Sequence, residues 1–404
     1  MPTLRISPVA GLLLASLLLL GACSGPERLE ATATADTERS FPLGLTNARF
    51  FPDSGAAGFQ KEAEDSVRRE EAIWRAAGNK GPLPPAHFLA ISGGGDNGAF
   101  GSGLLVGWTE AGNRPQFKLV TGVSTGALIA PFAFLGSAYD KPLKDVYTTI
   151  TPKQVFRSRG LVSGIFSDAL ADTSPLEELI ARYMDEKMLI AIAQEYRKGR
   201  GLLIGTTNLD AQRPVIWNIG AIAASGHPGA LNLVRQILRA SSAVPGAFQP
   251  VLIEVEAGGQ KRQEMHVDGG AVAQLFLYPA SLNPGIYPRG RHAYIIRNSR
   301  LDPDWAVTEP RTLTIAGRAI TTMLAASGQN DVMRVYFTSQ RDGVDFNLAY
   351  IGREFTTPHA EEFDPKYMND LYEYGYRQAR GGYRWHKAPP SLEAPQARQA
   401  SDRK

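Results

Sequence analysis

A serine framed by glycines, Gly122-Val123-Ser124-Thr125-Gly126, sits between an apolar run, FKLVTG (117–122), and an apolar helix-like stretch, ALIAPFAFL (127–135). On such a strand-to-helix corner the serine is held in a strained turn, and the flanking glycines let neighbouring backbone come close. The helix that follows directs its N-terminal amides at any anion forming there. Ser124 is therefore a candidate nucleophile, with Gly122 and Gly126 shaping the elbow. The plainer alternative is a tight turn whose serine caps the helix.

A second stretch, Ser92-Gly93-Gly94-Gly95-Asp96-Asn97-Gly98, follows the apolar run HFLAIS (87–92). Successive glycines can turn several amides inward to make an anion nest. The nest could hold a phosphate, since Gly93, Gly95 and Gly98 satisfy G-x-G-x-x-G, or the oxyanion of an acyl intermediate. A dinucleotide site needs an acidic residue at the end of the next strand. Here that strand runs into the Ser124 corner instead. A third stretch, Asp268-Gly269-Gly270, closes EMHV and projects a carboxylate toward the rim of an open sheet. A serine hydroxyl needs a base, which a histidine or a carboxylate can supply. Of the six histidines, His266 is the rival to Asp268, because two residues earlier on one strand is the same face.

These residues need a scaffold. Strand-like runs at 202–209, 214–219 and 292–298 alternate with helix-like runs at 99–110, 231–241 and about 311–339. That alternation predicts an α/β domain with a largely parallel sheet. Pro131 is expected to kink the helix it interrupts. Residues 41–86 read as an N-terminal helical extension, 87–386 as the main domain, and 387–404 as a disordered tail.

The N-terminus reads as an address. Arg5 precedes an apolar run, 9–20, which is shorter than the about 20 residues needed to span a bilayer. Leu20-Gly21-Ala22-Cys23 resembles the bacterial lipobox, and the chain's single cysteine falls where lipidation needs it. The resemblance implies a signal peptide over 1–22, acylation of Cys23 and export to the cell envelope; Ser24 resembles the outer-membrane sorting pattern. Residues 23–40, polar and poor in aromatics, read as a flexible tether. One thiol excludes a disulfide framework and a cysteine zinc site. With 43 basic and 40 acidic residues the charge is too balanced to suggest nucleic acid.

The order of glycine loop, G-x-S-x-G and Asp-Gly-Gly resembles the patatin-like phospholipases over residues 87–281, as does the segment Ala240–Phe248. The resemblance implies a three-layer α/β/α sandwich and a lipid acyl hydrolase. It implies Ser124 as nucleophile, Asp268 as general base, and the amides of Gly93, Gly94 and Gly95 as the oxyanion hole. The expected partners are a lipid or phospholipid substrate and the membrane, with no metal and no cofactor. Phe132–Leu135 is the expected wall of an acyl groove. Two alternatives stand: a lipid- or envelope-binding lipoprotein without catalysis on the same scaffold, and a His-assisted serine esterase. Ser92 and Asn97 depart from the family loop, which often begins with Asp and carries a basic residue before its last glycine. That departure bears on recognition of a phosphate headgroup.

Overall fold

The computed structural model describes residues 28–158, 171–282, 284 and 288–392. The expected signal peptide, Cys23 and the tail from 393 lie outside the described residues.

Five strands form a parallel centre: β2 (Ala86–Ile91), β3 (Leu119–Val123), β6 (Gly201–Asn208), β10 (Arg291–Arg297) and β11 (Asp345–Tyr350). They lie in the order β6-β3-β2-β10-β11, with Ile296 opposite Ile91, Ile91 opposite Gly122, and Gly122 opposite Ile204. Antiparallel strands extend the β6 side. β7 (Arg213–Asn218) pairs with β6, β1 (Arg49–Phe50) pairs with β7, and the hairpin of β8 (Val251–Ala257) and β9 (Gln260–Asp268) joins β6 through β9. The sheet is thus mixed, parallel where strands and helices alternate. β4 (Arg157–Ser158) and β5 (Ala171–Asp172) form a separate two-stranded ribbon.

Strands apolar on both faces need cover on both. In β2, Leu89 and Ile91 enter one core while Ala90 enters the other. The first core lies under α2 (Gly98–Glu110), α3 (Thr125–Leu135), α4 (Asp140–Thr149), α8 (Ala230–Ser241) and α10 (Pro365–Arg380). Two helices missed in the sequence, α5 (Ser174–Tyr183) and α6 (Glu186–Arg197), and the short α7 (Ile219–Ala224) complete that side. The opposite core is covered by α1 (Ala57–Ala76) and α9 (Thr312–Arg341), which makes the layers α/β/α. α3 continues through Pro131.

Three expectations need correction. Residues 28–40 are not a free tether: Thr37 and Ser40 are buried, and Arg28 forks onto Asp210 at 2.8 and 3.0 Å. Arg49, in the expected helical extension, adds an edge strand and makes a fully buried ion pair with Glu264 at 2.5 Å. Residues 387–392 are also placed, Lys387 bonding to Asp345 and Asn347.

Candidate active site

The register of the sheet alone brings Ser124 to Asp268. β3 ends with Val123 opposite Gly205, and β9, running the other way, ends with Asp268 opposite Thr206. β7 occupies the far side of β6 along this stretch. β3 and β9 therefore meet end to end on one edge of β6, and the residues leaving that junction are Ser124 and Asp268. A Cβ on Gly269 would stand 3.0 Å from the Val123 side chain.

Ser124 has φ 56° and ψ −127°, a conformation that costs roughly 1–3 kcal/mol and persists only where its surroundings enforce it. The enforcement is visible. Ser124 N–H donates to Ser241 Oγ at 3.0 Å, and the Ser241 hydroxyl donates to the Gly205 carbonyl at 2.7 Å. Gly122 and Gly126 are required by close approach: a Cβ at 122 would run into the Gly126 carbonyl, and one at 126 into that of Ile91. No side-chain cap is made by Ser124 to its helix, so the turn-and-cap alternative fails.

Asp268 is buried. Its N–H donates to the Ala243 carbonyl at 2.9 Å, and its Oδ1 accepts the Gly270 amide at 2.7 Å. Burial pushes its carboxyl up to about 6, against the pull of hydrogen bonds from the Ser124 hydroxyl and the Gly270 amide. The segment Ala240–Phe248 thus holds both residues, one through Ser241 and the other through Ala243.

His266 shares the face of Asp268 but both its ring nitrogens are engaged. Trp217 Nε1 donates to Thr206 Oγ1 at 2.8 Å, the Thr206 hydroxyl meets His266 Nδ1 at 3.0 Å, and His266 Nε2 meets Glu264 at 3.3 Å. Burial pushes the ring's pKa down, which favours the neutral form donating from Nε2 to Glu264. Among the described residues no histidine hydrogen-bonds Ser124.

The glycine loop lies beside the serine: a Cβ on Gly93 would stand 3.1 Å from that of Ser124. Its three amides are not equivalent. Gly93 N–H donates to the Gln274 carbonyl at 3.1 Å and is removed from the expected oxyanion hole. Gly94 and Gly95, at φ 157° and 59°, have no protein acceptor for their amides among the described residues. The Gly93 carbonyl accepts from Ser92 Oγ at 2.7 Å and from the Arg297 guanidinium at 3.4 Å. In a trans peptide the oxygen and the hydrogen point opposite ways, so this anchor aims the Gly94 N–H away from Arg297 and polarises it. Arg297 is buried, and burial lowers it to about 10.

Sequence reasoning missed Ser241, Gln274, Arg297, Asn298 and Asp331, whose Oδ2 accepts the Gln274 and Leu275 amides at 2.6 and 3.2 Å. Asn298 brackets the loop, its N–H on Ser92 Oγ at 2.9 Å and its Oδ1 on the Gly101 amide at 3.1 Å. Only Ser241 carried a signal, through the Ala240–Phe248 resemblance. The far end of the loop is held from the C-terminal region. Asp96 Oδ2 accepts from His359 Nε2 at 2.7 Å and Phe363 N–H at 2.8 Å, and Tyr367 donates to Asn97 at 2.6 Å. Asp96, His359 and Glu362 present ligand atoms within 4.8 Å of one another, the spacing a metal could use. The hydrogen bonds to Asp96, which also raise the pKa of His359, give that group a structural role in tying the loop down.

A cavity of about 970 Å³, open mouth included, begins beside Ser124 and Asp268, whose chain neighbours Val123 and Gly269 line it. Val272, Ala273 and Phe276 continue its wall. The expected groove at Phe132–Leu135 is instead core: Phe134 is fully buried under the Arg200 guanidinium, 4.4 Å from the ring centre.

Residues 89–281 match the family model described as patatin-like phospholipase. The chain carries a patatin-like phospholipase domain. Ser124, Asp268 and Gly93–Gly95 all fall inside it, whereas Arg297, Asn298 and His359, which brace its glycine loop, fall beyond its end. VipD from Legionella pneumophila is similar at 11% identity and TM-score 0.37, over 74% of this chain and 66% of that one. The type III effector ExoU is similar at 14% and 0.30, over 74% and 53%. Human GIVD cytosolic phospholipase A2 is similar at 10% and 0.30, over 74% and 54%. All three likenesses are distant, and the chain spans from about half to just under two thirds of those proteins' lengths. No curated protein matches the chain.

Proposed function

We propose that the patatin-like domain is a lipid acyl hydrolase of the phospholipase A or lysophospholipase kind. The observation that carries this reading is the end-to-end meeting of β3 and β9, which sets the strained Ser124 beside a buried Asp268 whose carboxyl burial pushes up to about 6. Asp268 takes the serine proton as Ser124 Oγ attacks the ester carbonyl. The unoccupied Gly94 and Gly95 amides receive the oxyanion, a role in which one donor is worth about 2.7–4 kcal/mol. The alcohol or lysolipid leaves with a proton, giving an acyl-serine, and water activated by Asp268 releases the fatty acid. The cavity past Val123 and Gly269 suits the acyl chain.

Labelling by a fluorophosphonate tests the reading. Wild-type protein is expected to be modified on Ser124, and Ser124→Ala and Asp268→Asn to lose both labelling and release of fatty acid from phospholipid vesicles. A Ser124→Ala protein that still hydrolyses them refutes it, and a wild type that neither labels nor hydrolyses favours a binding lipoprotein. The engaged nitrogens of His266 speak against a His-assisted esterase.

The membrane is the proposed workplace. The Cys23 tetrad supports a lipid anchor, and Trp305, Val307 and Met323 expose apolar surface with 84, 79 and 69% of each residue accessible. Mass spectrometry of the exported protein is expected to find an acylated Cys23 as its first residue.

A further inference from the structure

A second cavity, about 950 Å³ with its open mouth, lies under α1 at the opposite end of the parallel strands from Ser124. Its wall includes Ala86, Leu119 and Gly201, the residues that begin β2, β3 and β6, whereas Ser124 follows the end of β3. It is therefore not the acyl groove beside Ser124 and Asp268.

The cavity exists because α1 is propped off the sheet. At one end Ser66 Oγ donates to the Gly199 carbonyl at 2.6 Å, and Glu70 receives Lys118 at 2.6 Å and Arg289 at 2.9 and 3.0 Å. At the other end Phe59 rests on Phe50, ring centres 4.6 Å apart. Between the props the wall is apolar, with Ala63, Phe88 and Leu203. One end is thus cationic and the other aromatic, the layout of a site for an amphiphile.

The cationic end is short of negative charge. Lys118 and Arg289 share the single carboxylate of Glu70, while nearby Glu62 is already paired with Arg69. Arg289 Nε is buried without a hydrogen-bond partner among the described residues. Burial pushes Lys118 down to about 8, and the charges of Arg289 and Arg69 work in the same direction against Glu70. Lys118 also donates to the carbonyls of Gly199 and Ser66, so an added carboxylate would accept from Arg289 Nε and offset the charge of Lys118 beside it.

We propose that this cavity binds a long-chain fatty acid, its carboxylate on Arg289 and Lys118 and its chain running past Phe88 and Leu203 toward Phe59. The site goes beyond the hydrolase reading and does not depend on it.

The test titrates cis-parinaric acid, a fluorescent 18-carbon acid, into the full chain carrying Ser124→Ala. Adding Ala63→Trp, which fills the cavity, or Arg289→Met, which removes the carboxylate's partner, is expected to abolish one site per chain or weaken it at least tenfold. Methyl parinarate is expected to bind at least tenfold more weakly than the acid. Ala63→Trp is expected to melt within a few degrees of its parent, which shows that the fold is intact. Unchanged binding in both variants overturns the proposal, as does an ester that binds as tightly as the acid. Should Ala63→Trp fail to fold, Arg289→Met and the acid–ester comparison still decide.

Discussion

At Asp268 a single residue sets chemistry against stability. Its carboxyl titrates near 6 in the folded protein, above the ordinary aspartate value of 3.8. The folded state therefore holds this proton more tightly than the unfolded chain does, and the cost of ionising it grows as pH rises from about 4 to 6 and is complete above that. Asp268→Asn is expected to stabilise the protein by up to about 3 kcal/mol at pH 8. Thermal melts should show the gap closing as pH falls toward 4, while turnover is lost at every pH. In the wild type, kcat/KM is expected to fall about tenfold per pH unit below 6, as the base is protonated. Arg297 touches the proposed oxyanion site only through the Gly93 carbonyl. Arg297→Met should lower kcat about tenfold, or ~1.4 kcal/mol, with KM little changed, because a donor aimed at the oxyanion matters in the transition state. A KM effect alone would refute that role.

Among elements, the N-terminal segment is bound to the sheet by a buried polar cluster. Arg49 meets Glu264 at 2.5 and 3.0 Å and Ser40 Oγ at 2.6 Å. Burial works to raise the Glu264 pKa, but His266 and Arg49 outweigh it and hold the carboxyl far below its usual range. That contribution is present above the unfolded value of about 4.5 and is lost on acidification. His266, lowered by burial, adds a loss that begins below about 6.5. Arg49→Met leaves Glu264 buried and uncompensated, so denaturant titration at pH 7 should show a loss of about 3–5 kcal/mol. This cluster explains why residues 28–40 were misread. Polar composition signals solvent only when the polar groups lack partners, and here partners such as Asp210 for Arg28 and Glu264 for Ser40 lie about 180 to 220 residues away. The Ser124 corner was legible because its requirements are local: a strand, a tight turn, small neighbours and a helix. The β8 strand is legible too, since Val251, Ile253 and Val255 alternate with Glu254 and Glu256. Arg297 and Gln274 carry no local signature, because their meaning is a contact with Gly93 across about two hundred residues of chain.

Over the whole molecule, several of the most exposed apolar side chains stand before and along the first half of α9. Trp305 and Val307, just before α9, and Ile315 and Met323 along its first turns are exposed. Exposed apolar patches mark interaction sites, and tryptophan favours the membrane–water boundary. Trp305→Ser combined with Met323→Ser is expected to reduce co-sedimentation with phospholipid vesicles several-fold. Hydrolysis of a water-soluble short-chain ester should be unchanged. Equal loss on both substrates would place the defect in the fold instead.

The end-to-end meeting of β3 and β9 also sets the order in which competence arises. The nucleophile's corner can form early from neighbouring sequence, but its proton acceptor arrives on a strand made 144 positions later and docks only on the remaining edge of β6. A nascent or partly unravelled chain therefore holds an inert hydroxyl. On the proposed mechanism, ester cleavage waits for that last seam to close.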